Sequence, residues 1–231
     1  MNRTFVIGDI HGAFLSLQQC FERAGFDASA DRLICLGDAC DGWPDVAEVM
    51  ETLSSLPHLV YILGNHDQWA LEWIRTGNPS QAWLMQGGTA CVNAYPEGMP
   101  EPHRQLLENA RPFFLENDRL FVHGGFDPGT PLEEHDADML AWDRELIQQA
   151  MELAGQNEDT RLTGFTEVYV GHTPTIRYGS DRPIKVGEIW LMDTGAGWTG
   201  PLSMMDIGTH EIFQGDSPSS LYPPSSGRLF I

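Results

Sequence analysis

The stretch Thr4-Phe5-Val6-Ile7-Gly8-Asp9-Ile10-His11-Gly12 sets the reading of the rest of the chain. Four β-favouring residues in a row, with no polar alternation, have the pattern of a strand buried on both faces, as in a parallel sheet. Gly8 then ends the run in a loop that carries Asp9 and His11. After Gly12, apolar residues Phe14, Leu17, Phe21 and Ala24 recur at helical spacing. Leu15 widens the stripe and Gly25 is placed to end it.

The same unit repeats twice. An apolar run over 32–36 halts at Gly37-Asp38, a helical pattern over 45–56 follows behind Pro44, and a third run over 59–63 halts at Gly64-Asn65-His66-Asp67. Strand and helix in alternation predict a βαβαβ series of parallel strands with covering helices. The stretch 68–118 is less regular. A helix is expected after His66, then a lid or helical subregion with Gly87-Gly88, Pro96, Pro100 and Pro102. Strand patterns return at 120–122, before His123-Gly124-Gly125, and at 168–170, before Gly171-His172-Thr173-Pro174, with 133–154 helical by composition between them. The runs 188–192, 201–207 and 210–214 predict a closing antiparallel meander. The first 214 residues are expected to form one domain, and the Ser- and Pro-rich stretch 215–231 a tail draped over the surface or disordered.

The bulk numbers narrow the class. With 13 basic against 33 acidic residues among 231, the net charge of -20 repels nucleic-acid backbone and anionic lipid, so extended nucleic-acid and membrane partners are not expected. A phosphate-bearing substrate meets the same repulsion and needs a local positive centre, for which divalent metals are the obvious source. Cys20, Cys35, Cys40 and Cys91 show no CxxC pairing, and the start carries no basic-then-apolar signal segment, which fits a cytoplasmic protein.

Five strand-like runs thus end in glycine or histidine beside Asp, Asn or His, and these polar groups should converge at the carboxyl edge of the sheet, where ligands bind in open α/β folds. Asp9, His11, Asp38, Asn65, His123 and His172 offer oxygen and imidazole donors without thiolates, which suits manganese, iron or zinc better than a soft metal. A lone Gly-Asp is usually a turn and a lone His beside glycine a loop residue. Five independent turns, however, have no reason to draw every polar residue from the metal-ligand set.

The order GDIHG, GDACDG, GNHD, HGG, GHTP resembles the calcineurin-like metallophosphoesterases, in the phosphoprotein-phosphatase branch that holds bacterial and phage serine/threonine phosphatases and symmetrical dinucleoside tetraphosphatases. Leu140-Ala141-Trp142-Asp143-Arg144 and Asp193-Thr194-Gly195-Ala196 are similar to further segments of that branch. The resemblance implies an α/β four-layer sandwich, two mixed β-sheets flanked by helices. It implies two divalent metal ions, manganese first, with Asp9, His11 and Asp38 at one and Asp38, Asn65, His123 and His172 at the other. It makes His66 the general acid with Asp41 behind it to fix its tautomer, and gives Arg144 and Asn65 substrate-binding roles. Where the family usually carries arginine after Asp41, this chain has Gly42, then Trp43 and Pro44, so one phosphate clamp is absent, and Trp43 reads equally as pocket wall or core. Trp69, Trp73 and Trp83 read as packing residues.

The function expected is hydrolysis of a phosphorylated protein or small phosphate ester, foremost as a serine/threonine or dual-specificity protein phosphatase acting as a monomer. Cleavage of dinucleoside polyphosphates and a non-catalytic phosphate-binding module are the alternatives.

Overall fold

The computed structural model describes residues 2–156 and 161–227, so the last residues of the expected tail, 228–231, lie outside the described residues. The opening run forms β1 (Thr4–Ile7), which pairs in parallel with β2 (Arg32–Cys35), and β2 pairs in parallel with β3 (Leu59–Tyr61). Helices α1 (Phe14–Ala24) and α2 (Val46–Ser55) make the crossovers. Along each strand, residues alternate between two buried surroundings, which explains the continuous apolar reading. Phe5, Ile7, Leu33 and Cys35 pack with Leu17, Val49, Met50 and Leu53 of the helices. Val6 and Ile34 point the other way, into a second sheet.

That second sheet has the order β4 (Phe113–Glu116), β5 (Arg119–Val122), β6 (Glu167–Val170), β8 (Ile189–Leu191), β7 (Ile184–Val186). Phe121, Tyr169 and Trp190 meet Val6, Ile34 and Met205 between the sheets, while Leu120, Val122, Val168 and Val170 pack against Leu146 and Ile147 of α8 (Glu145–Gly155). The layers are helix, sheet, sheet, helix, with five strands in each mixed sheet.

One expectation is corrected, and two features went unread. The closing meander forms only in its last two strands, because β8 joins the second sheet beside β6, and the chain crosses over before β9 (Ser203–Asp206) adds antiparallel to β1 and β10 (Ile212–Gln214) adds antiparallel to β9. The stretch 133–154 is mostly helical, as expected, with an unread break. It breaks at Asp143 and Arg144 into α7 (Ala137–Trp142) and α8, where the Asp143 carboxylate accepts the backbone N–H of Glu145 and Leu146. Strands β4 and β7 went unread because they are short edge strands, half-exposed and without a long apolar run.

Within 68–118 the chain folds as α3 (Asn65–Thr76), the short α4 (Gln81–Trp83), a π-helical turn at Leu84–Gly88, α5 (Thr89–Ala94) and α6 (Glu101–Glu108). The stretch after β10 lies against α1. Ser16 Oγ donates to the Asp216 carbonyl at 2.5 Å, and α9 (Pro218–Leu221) leads to Tyr222, whose ring stacks on Trp43 at 5.3 Å. No helix among the described residues is long and apolar enough to cross a membrane.

At the end of the sheets away from the ligand-bearing loops, Glu167 is buried and accepts hydrogen bonds from Arg119 Nε at 2.7 Å, Tyr169 Oη at 3.0 Å and Trp190 Nε1 at 3.3 Å. Burial pushes this carboxyl up, but the donors outweigh it and hold it below the usual range. Glu167→Ala should therefore cost about 3 kcal/mol of unfolding free energy in urea denaturation, since it leaves several buried donors without an acceptor. A depressed native pKa gives stability present above the unfolded value and lost as pH falls, so the wild-type advantage over Glu167→Gln should shrink below about pH 4.

Candidate metal centre

Six strands run in the same sense, three in each sheet, and each delivers one polar residue to a common edge. β1 leads to Asp9, β2 to Asp38, β3 to Asn65, β5 to His123, β6 to His172 and β8 to Asp193. Five of these were expected. Asp193, whose segment was noted only for its likeness, is a sixth at the same edge.

The turns that carry these residues are strained. His11, Asp38, Asp41 and His172 have φ of 49°, 51°, 73° and 62°, in the left-handed region that non-glycine residues seldom enter. Such conformations persist only where surrounding bonds over-determine them. For Asp38 the surroundings are explicit. The Asp67 carboxylate accepts from the backbone N–H of Asp38 at 2.8 Å and of Gly64 at 3.1 Å, and from Tyr61 Oη at 2.9 Å. Burial and the neighbouring Asp38 push Asp67 up to about 6. The sequence contained Asp67 within a block without marking this role.

Second partners orient the imidazoles. His11 Nδ1 donates to the Cys40 carbonyl at 3.1 Å, leaving Nε2 at 3.9 Å from Asp9 Oδ2 and 3.7 Å from Asp38 Oδ2. His123 Nδ1 donates to the Leu36 carbonyl at 2.7 Å, which turns Nε2 to Asn65 Oδ1 at 3.0 Å and Asp38 Oδ2 at 3.4 Å. An imidazole tied through one nitrogen to a carbonyl presents the other as a metal donor. Ligand atoms of Asp38, His123 and His172 lie within 4.8 Å of one another, and so do those of Asp38, His11 and His66. These two groups contain four of the six expected ligands, with Asp38 common to both and His66, expected as the acid, in one of them; Asn65 adjoins through His123. Asp9 stands slightly apart, with its oxygens each 3.1 Å from the His172 backbone N–H.

The electrostatics favour a cation. Burial, then Asp193, pushes the Asp9 carboxyl well up, a sign that negative charge is crowded there. Burial alone would raise Asp38 too, but His123, His66 and His11 hold it well below its usual range. Burial would lower His123, yet Asp38 and Asp9 push it up to about 10, while burial and His123 press His172 down to about 2. One imidazole is made to serve as countercharge to buried carboxylates, the task a divalent ion performs better. The donor set fits such ions.

Beside this cluster, His66 Nδ1 donates to Asp41 Oδ2 at 2.6 Å, and Trp83 Nε1 donates to the same oxygen at 2.6 Å. Trp83, read as a packing residue, is therefore also a support of Asp41. A contact between residues 42 positions apart leaves no local mark in the sequence. Trp69 sets its ring edge-on to His66 at 5.1 Å. A cavity of about 90 Å³ opens over the cluster, bordered by Arg144, Trp142, Gln86, Arg177 and Trp198 as well as the ligand residues. Arg144, expected to bind substrate, borders this cavity. It caps α8 and its guanidinium contacts His172 Nε2. Arg177, in the 3-10 turn Thr175–Tyr178, was not marked from sequence.

Of the two readings of Trp43, pocket wall or core, the fold takes the second. Trp43 is buried, donates from Nε1 to the Ala196 carbonyl at 2.7 Å and stacks on Tyr222, so it is core and not cavity wall. Gly42 has φ 78°, and a Cβ there would stand 2.9 Å from both His11 Cβ and the His11 carbonyl oxygen. Gly42 borders a separate cavity, between the Leu84–Gly88 turn and residues 225–227.

Comparison with known proteins agrees with this architecture. The model of the calcineurin-like phosphoesterase family matches residues 3–187. The chain belongs to that family. Its members are dinuclear metal-dependent phosphoesterases, and the chain is a hydrolase of phosphate esters. It is similar to serine/threonine-protein phosphatase 1 of Salmonella typhimurium, with 26% identity over 211 residues, covering 88% of this chain and 91% of that protein. It is similar also to the symmetrical bis(5'-nucleosyl)-tetraphosphatase of Pseudomonas fluorescens, 24% identical over 293 aligned positions, covering 97% and 99%. Among solved structures, a candidate diadenosine tetraphosphatase shares the fold with a TM-score of 0.69 at 18% identity, covering 92% of each chain.

Gly171 tests the tightness of the cluster. An added Cβ would lie 2.3 Å from Asp9 Oδ1. Gly171→Ala should therefore displace the Asp9 carboxylate, lower the metal content measured by plasma mass spectrometry, and reduce phosphoesterase activity by on the order of 100-fold while the far-ultraviolet circular dichroism is retained.

Proposed function

We propose that the chain is a phosphomonoesterase that removes phosphate from serine or threonine, and as a dual-specificity enzyme from tyrosine, in phosphoproteins. The observation that carries this reading is the shape of the site. The cavity over the cluster, about 90 Å³, takes a phosphoryl group and little more, far below the several hundred Å³ typical of a pocket enclosing a whole ligand. At Trp142 it meets an open groove of about 770 Å³ along α3 and α7, lined by Trp69, Glu72, Asp138 and Met139. A phosphorylated side chain can enter the cavity while its flanking chain lies outside. The likeness to the Salmonella phosphatase over most of both chains supports the same reading.

Asp9, His11 and Asp38 would hold one divalent cation, and Asp38, Asn65, His123 and His172 the other, with manganese taken first among manganese, iron and zinc for this mixed oxygen and imidazole donor set. When bound, the pair supplies Lewis acidity that draws charge off the phosphoryl oxygens and activates water as nucleophile. His66, tied through Nδ1 to Asp41, offers Nε2 to protonate the leaving oxygen, and the Trp83 N–H keeps Asp41 on that bond. Arg144 and Asn65 bind the phosphoryl oxygens. The four cysteines, buried and unbridged, support a reducing cytoplasmic setting.

Cleavage of a dinucleoside polyphosphate is the second reading, favoured by the full-length likeness to the Pseudomonas tetraphosphatase. Manganese-loaded protein should hydrolyse phosphoserine and phosphothreonine peptides with a higher kcat/KM than diadenosine tetraphosphate, and Asp38→Asn should abolish both activities. The reverse preference would establish the second reading in place of the first. His66→Gln should lower kcat on a phosphoserine peptide by roughly 100-fold or more, and far less on p-nitrophenyl phosphate, whose phenolate leaves without a proton. Equal losses on the two substrates would remove His66 from the acid role.

A further inference from the structure

The absent guanidinium of the second block has a replacement elsewhere in the fold. Arg144, at the cap of α8, and Arg177, in the 3-10 turn that follows His172, stand on separate segments yet border the same cavity. Neither has a carboxylate within ion-pair distance among the described residues. Arg3, Arg23, Arg32, Arg75, Arg104 and Arg119 each pair with an acid, and Arg111, Arg161 and Arg182, which among the described residues do not, lie away from this cavity. In a chain with 33 acidic and 13 basic side chains, acidic partners are in excess, so two arginines kept together without one mark a place where an anion is to be supplied from outside.

Residue 42 cannot fill this role. It borders the other cavity, and its backbone lies too close to His11 to admit a side chain. Arg177 lies between the metal-centre cavity and an adjoining recess of about 250 Å³ formed with Pro174, Ile176, Trp198 and Thr199.

We infer that Arg177 is the second phosphate-clamping guanidinium of this enzyme, closing with Arg144 on the phosphoryl oxygens of the substrate and of the inorganic phosphate product. Two guanidinium groups approaching from different segments fix the phosphoryl group in orientation as well as position, which a single one does not. The inference rests on the phosphomonoesterase reading above and adds to it a residue outside the family blocks.

The test uses the full chain loaded with manganese and compares wild type with Arg177→Ala, Arg177→Lys and Arg177→Ala combined with Gly42→Arg. Affinity for inorganic phosphate is read by calorimetry, KM and kcat on p-nitrophenyl phosphate, and metal content and melting temperature as controls. Arg177→Ala should weaken phosphate binding and raise KM by about tenfold with metal content and melting temperature unchanged. Lysine should recover part of the loss, and Gly42→Arg none of it. Phosphate affinity and KM within about twofold of wild type in Arg177→Ala would overturn the inference and leave the hydrolase reading standing, as would a loss traced to depleted metal. A wild-type chain that neither binds phosphate nor hydrolyses the ester would overturn both.

Discussion

The carboxylates of Asp9 and Asp38, almost wholly withdrawn from water and joined at the same edge by Asp193, are the constraint around which this molecule is organised. Each is costly to bury alone, and together they repel. The fold makes the arrangement tolerable by surrounding them with backbone N–H groups and imidazoles whose other nitrogens are already committed to carbonyls. It also holds four turn residues in left-handed backbone conformations that would not be adopted freely. The remaining imbalance is a standing demand for cations, and the chemistry of a phosphoesterase meets that demand with the same ions it needs for catalysis.

The two sheets serve this edge directly. Because Val6, Ile34, Phe121, Tyr169 and Met205 interlock between them, the carboxyl ends of three strands from each sheet are held side by side. Neither sheet alone carries the whole donor set. Asp9, Asp38 and Asn65 belong to one sheet, and His123, His172 and Asp193 to the other.

Much of this was legible in the sequence for a physical reason. β1, β2, β5 and β6 are buried on both faces, and β3, though half-buried at a sheet edge, carries only apolar residues, so each reads as an unbroken apolar run, and each ends in a glycine or histidine block that announces its site residue. The edge strands β4 and β7 carry half-exposed side chains and left no such trace. The place of β8 depended on pairing with a strand about twenty residues earlier, which its own run does not encode. The break at Asp143 and Arg144 was hidden by flanks that are both good helix. Trp83, Arg177 and the packed state of Trp43 were out of reach because each is defined by a contact across the fold. Trp83 meets Asp41, Arg177 meets the cavity that holds Arg144, and Trp43 meets Tyr222.

The placement of β9 beside β1 joins segments far apart in the chain, with Phe5 opposite Asp206. Until that pairing forms, β1 can pair with β2 but has an open flank of backbone donors and acceptors, and the helix α1 lacks the segment that lies along it. The loop carrying Asp9 and His11 leaves from that half-finished strand. Completion of the strand therefore waits on a contact of long sequence separation, which places closure of this loop late in folding.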